Sequence, residues 1–132
     1  MVTILREVSV NLPIDAVWKR LRQVGLAHEL FAGVLVDGRI DGDLRTVTFA
    51  NGMVATEQIL GVDEPSMRVA YSVVDGPFVR HAASMQAVAE GAGSRVVWFS
   101  DFKPDALSEM VTPLMEAGLA ALKRNLEGGP AD

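Results

Sequence analysis

The feature that most constrains the fold is an uninterrupted series of strand-like segments in the middle of the chain. Between residues 34 and 102, apolar and polar residues alternate, and turns rich in Gly, Asp, Asn and Pro interrupt the alternation. This alternation is typical of half-buried strands, and short turns join antiparallel neighbours. The predicted strands are 34–40, 44–50, 53–62, 67–74, 79–90 and 94–102. An antiparallel meander is therefore expected.

Helical patterns lie on both sides of this series. A first strand is predicted over 2–12, and Pro13 then suits the first turn of a helix that ends near Gly25, followed by a short helix over 27–31. The segment 104–127 has one apolar face, although Pro113 should kink or split this helix. With no linker or repeat in view, residues 1–132 are expected to form one α+β domain.

Composition excludes several classes of function. The formal net charge of −5 argues against sequence-independent nucleic-acid binding, which requires a basic face. Without cysteine there is no disulfide, thiol nucleophile or thiolate metal site, and two histidines far apart in sequence argue against zinc. The chain also lacks the glycine-rich loops that bind phosphates or dinucleotides, so neither a metal nor a cofactor is expected.

Two features bear on the location of the protein. No apolar run approaches the roughly 20 residues that a membrane-spanning helix needs. The first ten residues read as a strand rather than as a signal peptide. A cytoplasmic protein without a membrane span is the expectation.

The order of elements, with one long helix after the meander, requires that helix to lie across one face of the sheet. In order and spacing, five segments resemble the START/Bet v 1-like (SRPBCC) helix-grip superfamily, in its polyketide cyclase/dehydrase-like branch. These segments are 12–18, 57–63, 67–71, 76–77 and 94–104. The rival cystatin-like cone places its long helix at the N-terminus, so the C-terminal helix counts against it.

The resemblance implies a curved antiparallel sheet of six to seven strands that grips the C-terminal helix, with two short helices after the first strand. It also implies an internal cavity for a small hydrophobic or polyketide-like molecule, in a monomer or homodimer. Two further functions remain open: a polyketide cyclase/dehydratase-type enzyme and a protein-interaction role.

Turn geometry predicts which side chains meet across the sheet. A two-residue loop at Asn51-Gly52, the strongest hairpin signal in the chain, places Thr46 opposite Glu57. The turns near residues 64 and 76 extend this register over two more strands. The resulting row, in order across the sheet, is Thr46, Glu57, Tyr71 and His81. Paired residues point to the same face, and the apolar neighbours of the row assign it to the inner face.

This row is the candidate site. A carboxylate in an apolar wall is costly unless it is paired, and a Glu57/His81 pair would provide both that partner and an acid/base couple. In the enzyme, Glu57 or His81 takes a proton next to a ketone while Tyr71 hydrogen-bonds the enolate. Equally, the three side chains can form a structural network or recognise a ligand without chemistry.

The rest of the predicted cavity wall is mainly apolar. It is expected to comprise Thr46, Met85, Trp98, Met110, Leu114 and Gly118. For the tryptophan and the methionines, packing in the core is the simpler explanation, although methionine also suits an adaptable pocket wall.

Overall fold

Seven antiparallel strands form one curved sheet in the order β1-β7-β6-β5-β4-β3-β2, and the long C-terminal helix packs against its inner face. The computed structural model describes residues 1–128. The strands are β1 (Val2–Val10), β2 (Leu35–Asp41), β3 (Leu44–Phe49), β4 (Val54–Asp63), β5 (Arg68–Val73), β6 (Arg80–Glu90) and β7 (Gly93–Lys103). The helices are α1 (Ile14–Leu21), α2 (Ala27–Leu30) and α3 (Ser108–Glu127), with 3₁₀ turns at Val24–Leu26 and Asp105–Leu107. The α+β helix-grip fold predicted from the sequence is confirmed.

The core lies between α3 and the inner face of the sheet. The apolar stripe of α3 is buried there, with Met115 and Leu122 almost inaccessible to solvent. On the sheet side, Val96 and Phe102 of β7 are fully buried. Two clusters of buried residues result, and the partly buried Trp98 packs against both. The position of α3 is thus fixed by burial of its apolar face, which removes a large apolar area from water.

Pro113 does not split the long helix. Helix α3 continues from Ser108 to Glu127, whereas the sequence predicted a start near Pro104 and either a kink or a split at Pro113. The proline removes the hydrogen bond that residue 113 would donate to the carbonyl group of Glu109. Because Glu109 and Pro113 are both exposed, solvent can take the place of that donor.

The hairpin between β3 and β4 has a three-residue loop instead of the predicted two. The backbone N–H of Phe49 donates to the carbonyl of Met53 at 2.8 Å, so these two residues close a loop formed by residues 50–52. Gly52 takes a φ of +92°, and the side chain of Asn51 accepts a hydrogen bond from the N–H of Met53 at 2.9 Å. A glycine in this left-handed conformation is typical of three-residue hairpin loops.

The extra loop residue changes which side chain of β3 faces inward. Glu57 pairs with Arg45, and the predicted partner Thr46 pairs with Thr56 on the outer face of the sheet. The prediction for Thr46 is wrong because side chains alternate along a strand, so a shift of one residue exchanges the two faces.

The other two predicted pairings are wrong by two residues, which leaves the faces unchanged. Glu57 lies opposite Val73 instead of Tyr71, and Tyr71 lies opposite Ala83 instead of His81. Near the turn the shift is three residues, as in the pair Asp63 and Arg68, and a β-bulge in β4 between Ile59 and Gly61 reduces it to two at Glu57.

Candidate functional site

A cavity of about 260 Å³ lies between the inner face of the sheet and α3. Glu57, Tyr71 and His81 all line it. Five of the six other predicted wall residues also line it, namely Met85, Trp98, Met110, Leu114 and Gly118, whereas Thr46 does not. Alternation along the strands therefore brings the candidate polar residues to one internal space, although the pairing between them differs from the prediction.

The cavity reaches the surface near the hairpin ends of the sheet. Val54 is 54% exposed, and the segment Asp75–Pro77 is also exposed, yet both contribute to the lining. The other wall is formed by the first half of α3, where Met110 and Leu114 are half-buried.

Arg45 and Glu57 form a buried ion pair inside the cavity. Nη2 of Arg45 lies 2.7 Å from Oε1 of Glu57, and Nε donates to the same oxygen at 2.8 Å. Nη1 of Arg45 also donates to the carbonyl oxygen of Val24, which ties the pair to the 3₁₀ turn. Burial raises the pKa of Glu57 above its usual value, Arg45 opposes that rise, and Asp75 adds to it. Arg45, rather than the expected His81, is thus the partner of the carboxylate.

The other oxygen of that carboxylate, Oε2, has no hydrogen-bond partner within residues 1–128. Arg45 and Glu57 both line the cavity, and this oxygen keeps its lone pairs free of other protein groups in that range.

Tyr71 is held by Trp98. Nε1 of Trp98 donates a hydrogen bond to the phenolic oxygen of Tyr71 at 3.1 Å, and the guanidinium carbon of Arg45 lies 5.3 Å from the centre of the Tyr71 ring. Burial, and secondarily the charge of Glu57, raise the pKa of this phenol above its usual value. Tyr71 is therefore a neutral hydroxyl group at any physiological pH.

His81 is fixed by the neighbouring strand. Its Nδ1 accepts a hydrogen bond from the backbone N–H of Val73 at 2.9 Å. The ring packs between two aromatic side chains, with centroids 4.8 Å from Phe78 and 5.8 Å from Tyr71. Burial lowers the pKa of His81 to about 4, so the imidazole is neutral near pH 7. These contacts disfavour His81 as a general base, because its lone pair is already used and its pKa is low.

The three candidate residues share the cavity without binding one another. No direct hydrogen bond joins Glu57, Tyr71 and His81 in the part of the chain that the structure describes. Each is anchored separately, by Arg45, Trp98 and Val73 respectively. The expected network among them is thus replaced by three independent anchors on one wall.

Sequence reasoning missed several lining residues. The predicted inner position of Thr46 left its neighbour Arg45 on the outer face, and Phe78 and Asp75 lie in a segment that was predicted only as a turn. Ser100 is a further polar residue of the lining, with 2% exposure. A three-residue reading of the Asn51-Gly52 turn would have identified Arg45.

Residues 1–128 contain no group of three or more His, Asp or Glu side chains placed to hold a metal ion. Over the same range, no helix has the length and hydropathy needed to cross a membrane.

The chain resembles several solved structures in fold. The protein XoxI from Bacillus cereus superposes with a TM-score of 0.81 at 16% identity, covering 94% of each chain. Norcoclaurine synthase from Thalictrum flavum superposes with a TM-score of 0.72 at 19% identity, covering 93% of this chain and 91% of the synthase.

The third similar structure is the di-domain ARO/CYC protein BexL from the BE-7585A biosynthetic pathway. It has a TM-score of 0.79 at 17% identity, and the match covers 98% of this chain and 48% of BexL. At these identities the likeness establishes the fold alone. No curated protein sequence gives a significant match.

The sequence model of one protein family, described as polyketide cyclase / dehydrase and lipid transport, matches residues 1–127. This match spans the whole sheet and α3, and it agrees with the resemblance drawn from the sequence segments. The chain belongs to the polyketide cyclase / dehydrase and lipid transport family.

Proposed function

We propose that this protein binds a small, mainly apolar molecule in the cavity between the sheet and α3. The observation that carries the proposal is the composition of the cavity wall. Most lining side chains are apolar, and the polar groups of the interior are concentrated at Arg45, Glu57, Tyr71 and His81. An apolar cavity with a few convergent polar groups is the usual form of a small-molecule site.

The size of the cavity restricts the ligand. A volume of about 260 Å³ lies just below the roughly 300–1,000 Å³ of sites for drug-sized molecules. A cavity of this volume suits a molecule with a single ring or with two fused rings. A structure of the fold neighbour norcoclaurine synthase, solved with dopamine and hydroxybenzaldehyde, holds aromatic molecules of this size, which supports the proposal.

A cyclase/dehydratase-type enzyme is the second candidate, and the free oxygen of Glu57 favours it. In that reaction, Oε2 of Glu57 takes a proton from the carbon next to a ketone, and the hydroxyl of Tyr71 donates a hydrogen bond to the developing enolate oxygen. A raised pKa makes a carboxylate a stronger base, and burial has this effect on Glu57. The contacts of His81 argue for a binding role instead of the acid/base role first considered.

A blocked cavity tests the binding function. Fluorescence of 6-propionyl-2-(dimethylamino)naphthalene, a neutral probe with two fused rings, would be titrated against the wild type and two Ala→Phe variants. Ala55→Phe places a ring in the cavity, whereas Ala82→Phe places the same ring on the exposed outer face. We expect Ala55→Phe to abolish the fluorescence increase and Ala82→Phe to retain it. Equal responses from both variants would contradict binding in this cavity.

Proton exchange separates the two candidates. 1-Tetralone in D₂O would be incubated with the protein, and NMR would follow loss of the signal from the hydrogens next to the carbonyl. An enzyme should accelerate this exchange, and Glu57→Gln should remove the acceleration. A binding protein should leave the rate at its uncatalysed value while still retaining the ketone.

A further inference from the structure

Two protein N–H groups occupy acceptor sites on the wall of the cavity. The indole N–H of Trp98 donates to the oxygen of Tyr71, and the backbone N–H of Val73 donates to Nδ1 of His81. Both acceptor residues lie on the inner face, with Tyr71 on β5 and His81 on β6. These two bonds determine which hydrogen-bond donor each side chain can still present to the cavity.

For His81, the bond fixes the tautomer. A neutral imidazole carries its proton on one nitrogen and a lone pair on the other, so an Nδ1 that accepts places the proton on Nε2. No residue in the range 1–128 accepts a hydrogen bond from Nε2. The side chain is 9% exposed and lines the cavity, so this N–H is available to a bound molecule.

For Tyr71, the bond leaves the hydroxyl hydrogen free. Its oxygen accepts from Trp98, and the described part of the chain provides no acceptor for its O–H. The ring is 5% exposed and faces the same cavity. The centroids of the Tyr71 and His81 rings lie 5.8 Å apart on the same wall, which is close enough for one ligand to contact both side chains.

The neighbouring charges add no net attraction for an ion. Arg45 and Glu57 neutralise each other within 2.7 Å, so the wall next to the two donors carries no excess positive charge. A neutral acceptor is therefore favoured over a carboxylate or a phosphate, whose desolvation would not be compensated.

We propose that Tyr71 and His81 form a donor pair that selects ligands by a neutral carbonyl oxygen, as in ketones, quinones and esters. The inference rests on the proposed binding function and specifies its ligand class. Val73 and Trp98 act as positioning residues, because their N–H groups hold both side chains as donors.

Two probes that differ only in the carbonyl group test the selection. 1-Tetralone and tetralin would be titrated into the full-length protein by calorimetry at pH 7. A cavity without donors binds the hydrocarbon more tightly, since a ketone loses its hydrogen bonds to water. We expect 1-tetralone to bind more tightly instead, by about fivefold or more, from about 1 kcal/mol of net hydrogen bonding.

Two substitutions assign the effect to His81. His81→Asn keeps an oxygen near the position of Nδ1 for the N–H of Val73 and removes the donor at Nε2. His81→Gln returns an N–H donor near the position of Nε2. We expect about a fivefold loss of 1-tetralone affinity in His81→Asn, recovery in His81→Gln and no change for tetralin, with folding of both checked by circular dichroism.

A measurement on the ligand-free wild type tests whether His81 carries its proton on Nε2. With only two histidines in the chain, long-range ¹H–¹⁵N spectra can assign each tautomer, and we expect Nε2–H for His81 at pH 7. An Nδ1–H tautomer or a charged ring would overturn the inference.

Tetralin binding at least as tightly as 1-tetralone would overturn it while leaving the binding function intact. If neither probe binds and no ligand co-purifies with the protein, both proposals fail.

Discussion

Arg45 and Glu57 face each other across the β3–β4 hairpin, with Nη2 and Oε1 separated by 2.7 Å inside a mainly apolar cavity. Both side chains are about nine-tenths buried. A charge in such a place is tolerated only next to a charge of opposite sign, because removal from water costs on the order of several kcal/mol per ion. The pair is therefore essential once present, although a pair of apolar residues could fill the same space.

Glu57→Gln should lower the free energy of unfolding by about 3 kcal/mol, since the charge of Arg45 is left uncompensated in the interior. The double variant Arg45→Met/Glu57→Leu should recover most of that loss, as it removes both charges. Urea denaturation measures both. A double variant no more stable than Glu57→Gln would show that the pair itself, instead of its desolvation, determines stability here.

Tyr71→Phe should cost about 1–2 kcal/mol, because it leaves the indole N–H of Trp98 without an acceptor. A double-mutant cycle that combines Tyr71→Phe with Trp98→Phe isolates the hydrogen bond between the two side chains. Its coupling energy, from the free energies of unfolding of the four proteins, should be about 1 kcal/mol. A coupling near zero would show that the two polar groups are satisfied separately.

Gly118→Val should lower both stability and ligand affinity. A Cβ at position 118 would lie 2.9 Å from Cζ3 of Trp98, and that ring is held by its bond to Tyr71. Overpacking of this kind costs about 1–3 kcal/mol, and a displaced indole reduces the cavity. Ala120→Val, at an exposed position of the same helix, is the matched control and should cost no more than about 0.7 kcal/mol. Thermal unfolding and probe titration check both variants.

The pH dependence of stability should contain a contribution from His81. Its pKa is lowered to about 4 in the folded protein from an ordinary 6.5, so between these values the unfolded chain binds a proton that the folded chain does not. Stability from this group is complete above pH 6.5 and is lost as the pH falls toward 4. In this window the wild type should lose up to about 1 kcal/mol per pH unit relative to His81→Gln. Parallel stability curves for the two proteins would contradict the low pKa.

Element types could be predicted from the sequence, and so could the inner faces of Glu57, Tyr71 and His81, whereas the register and the face of Thr46 could not. The inner positions of Tyr71 and His81 follow from alternation along their strands, and both line the cavity. Their pairing was predicted wrongly by two residues because the loop over 74–79 is longer than its Asp-Gly-Pro sequence suggests. An even error moves a side chain along the sheet without turning it over.

The error at Thr46 had a larger effect because it was odd. An Asn-Gly pair is compatible with loops of two or three residues, and the choice depends on the closing hydrogen bonds of Phe49 and Met53. Nothing local in the sequence distinguishes these cases. The anchor of His81 is also invisible in the sequence, since it is a backbone N–H that any residue at position 73 except proline would provide.

The three-residue loop at 50–52 has a consequence for how this chain can vary. Its residues are exposed, so Ala50 can be exchanged for many others at little cost. Loss of one of them would turn β3 over, sending Arg45 and the buried Val47 outward and leaving Glu57 as a lone charge. The length of this surface turn is thus restricted as tightly as a core position, while the identity of Ala50 within it is not. Insertions and deletions there would be selected against by the interior of the protein.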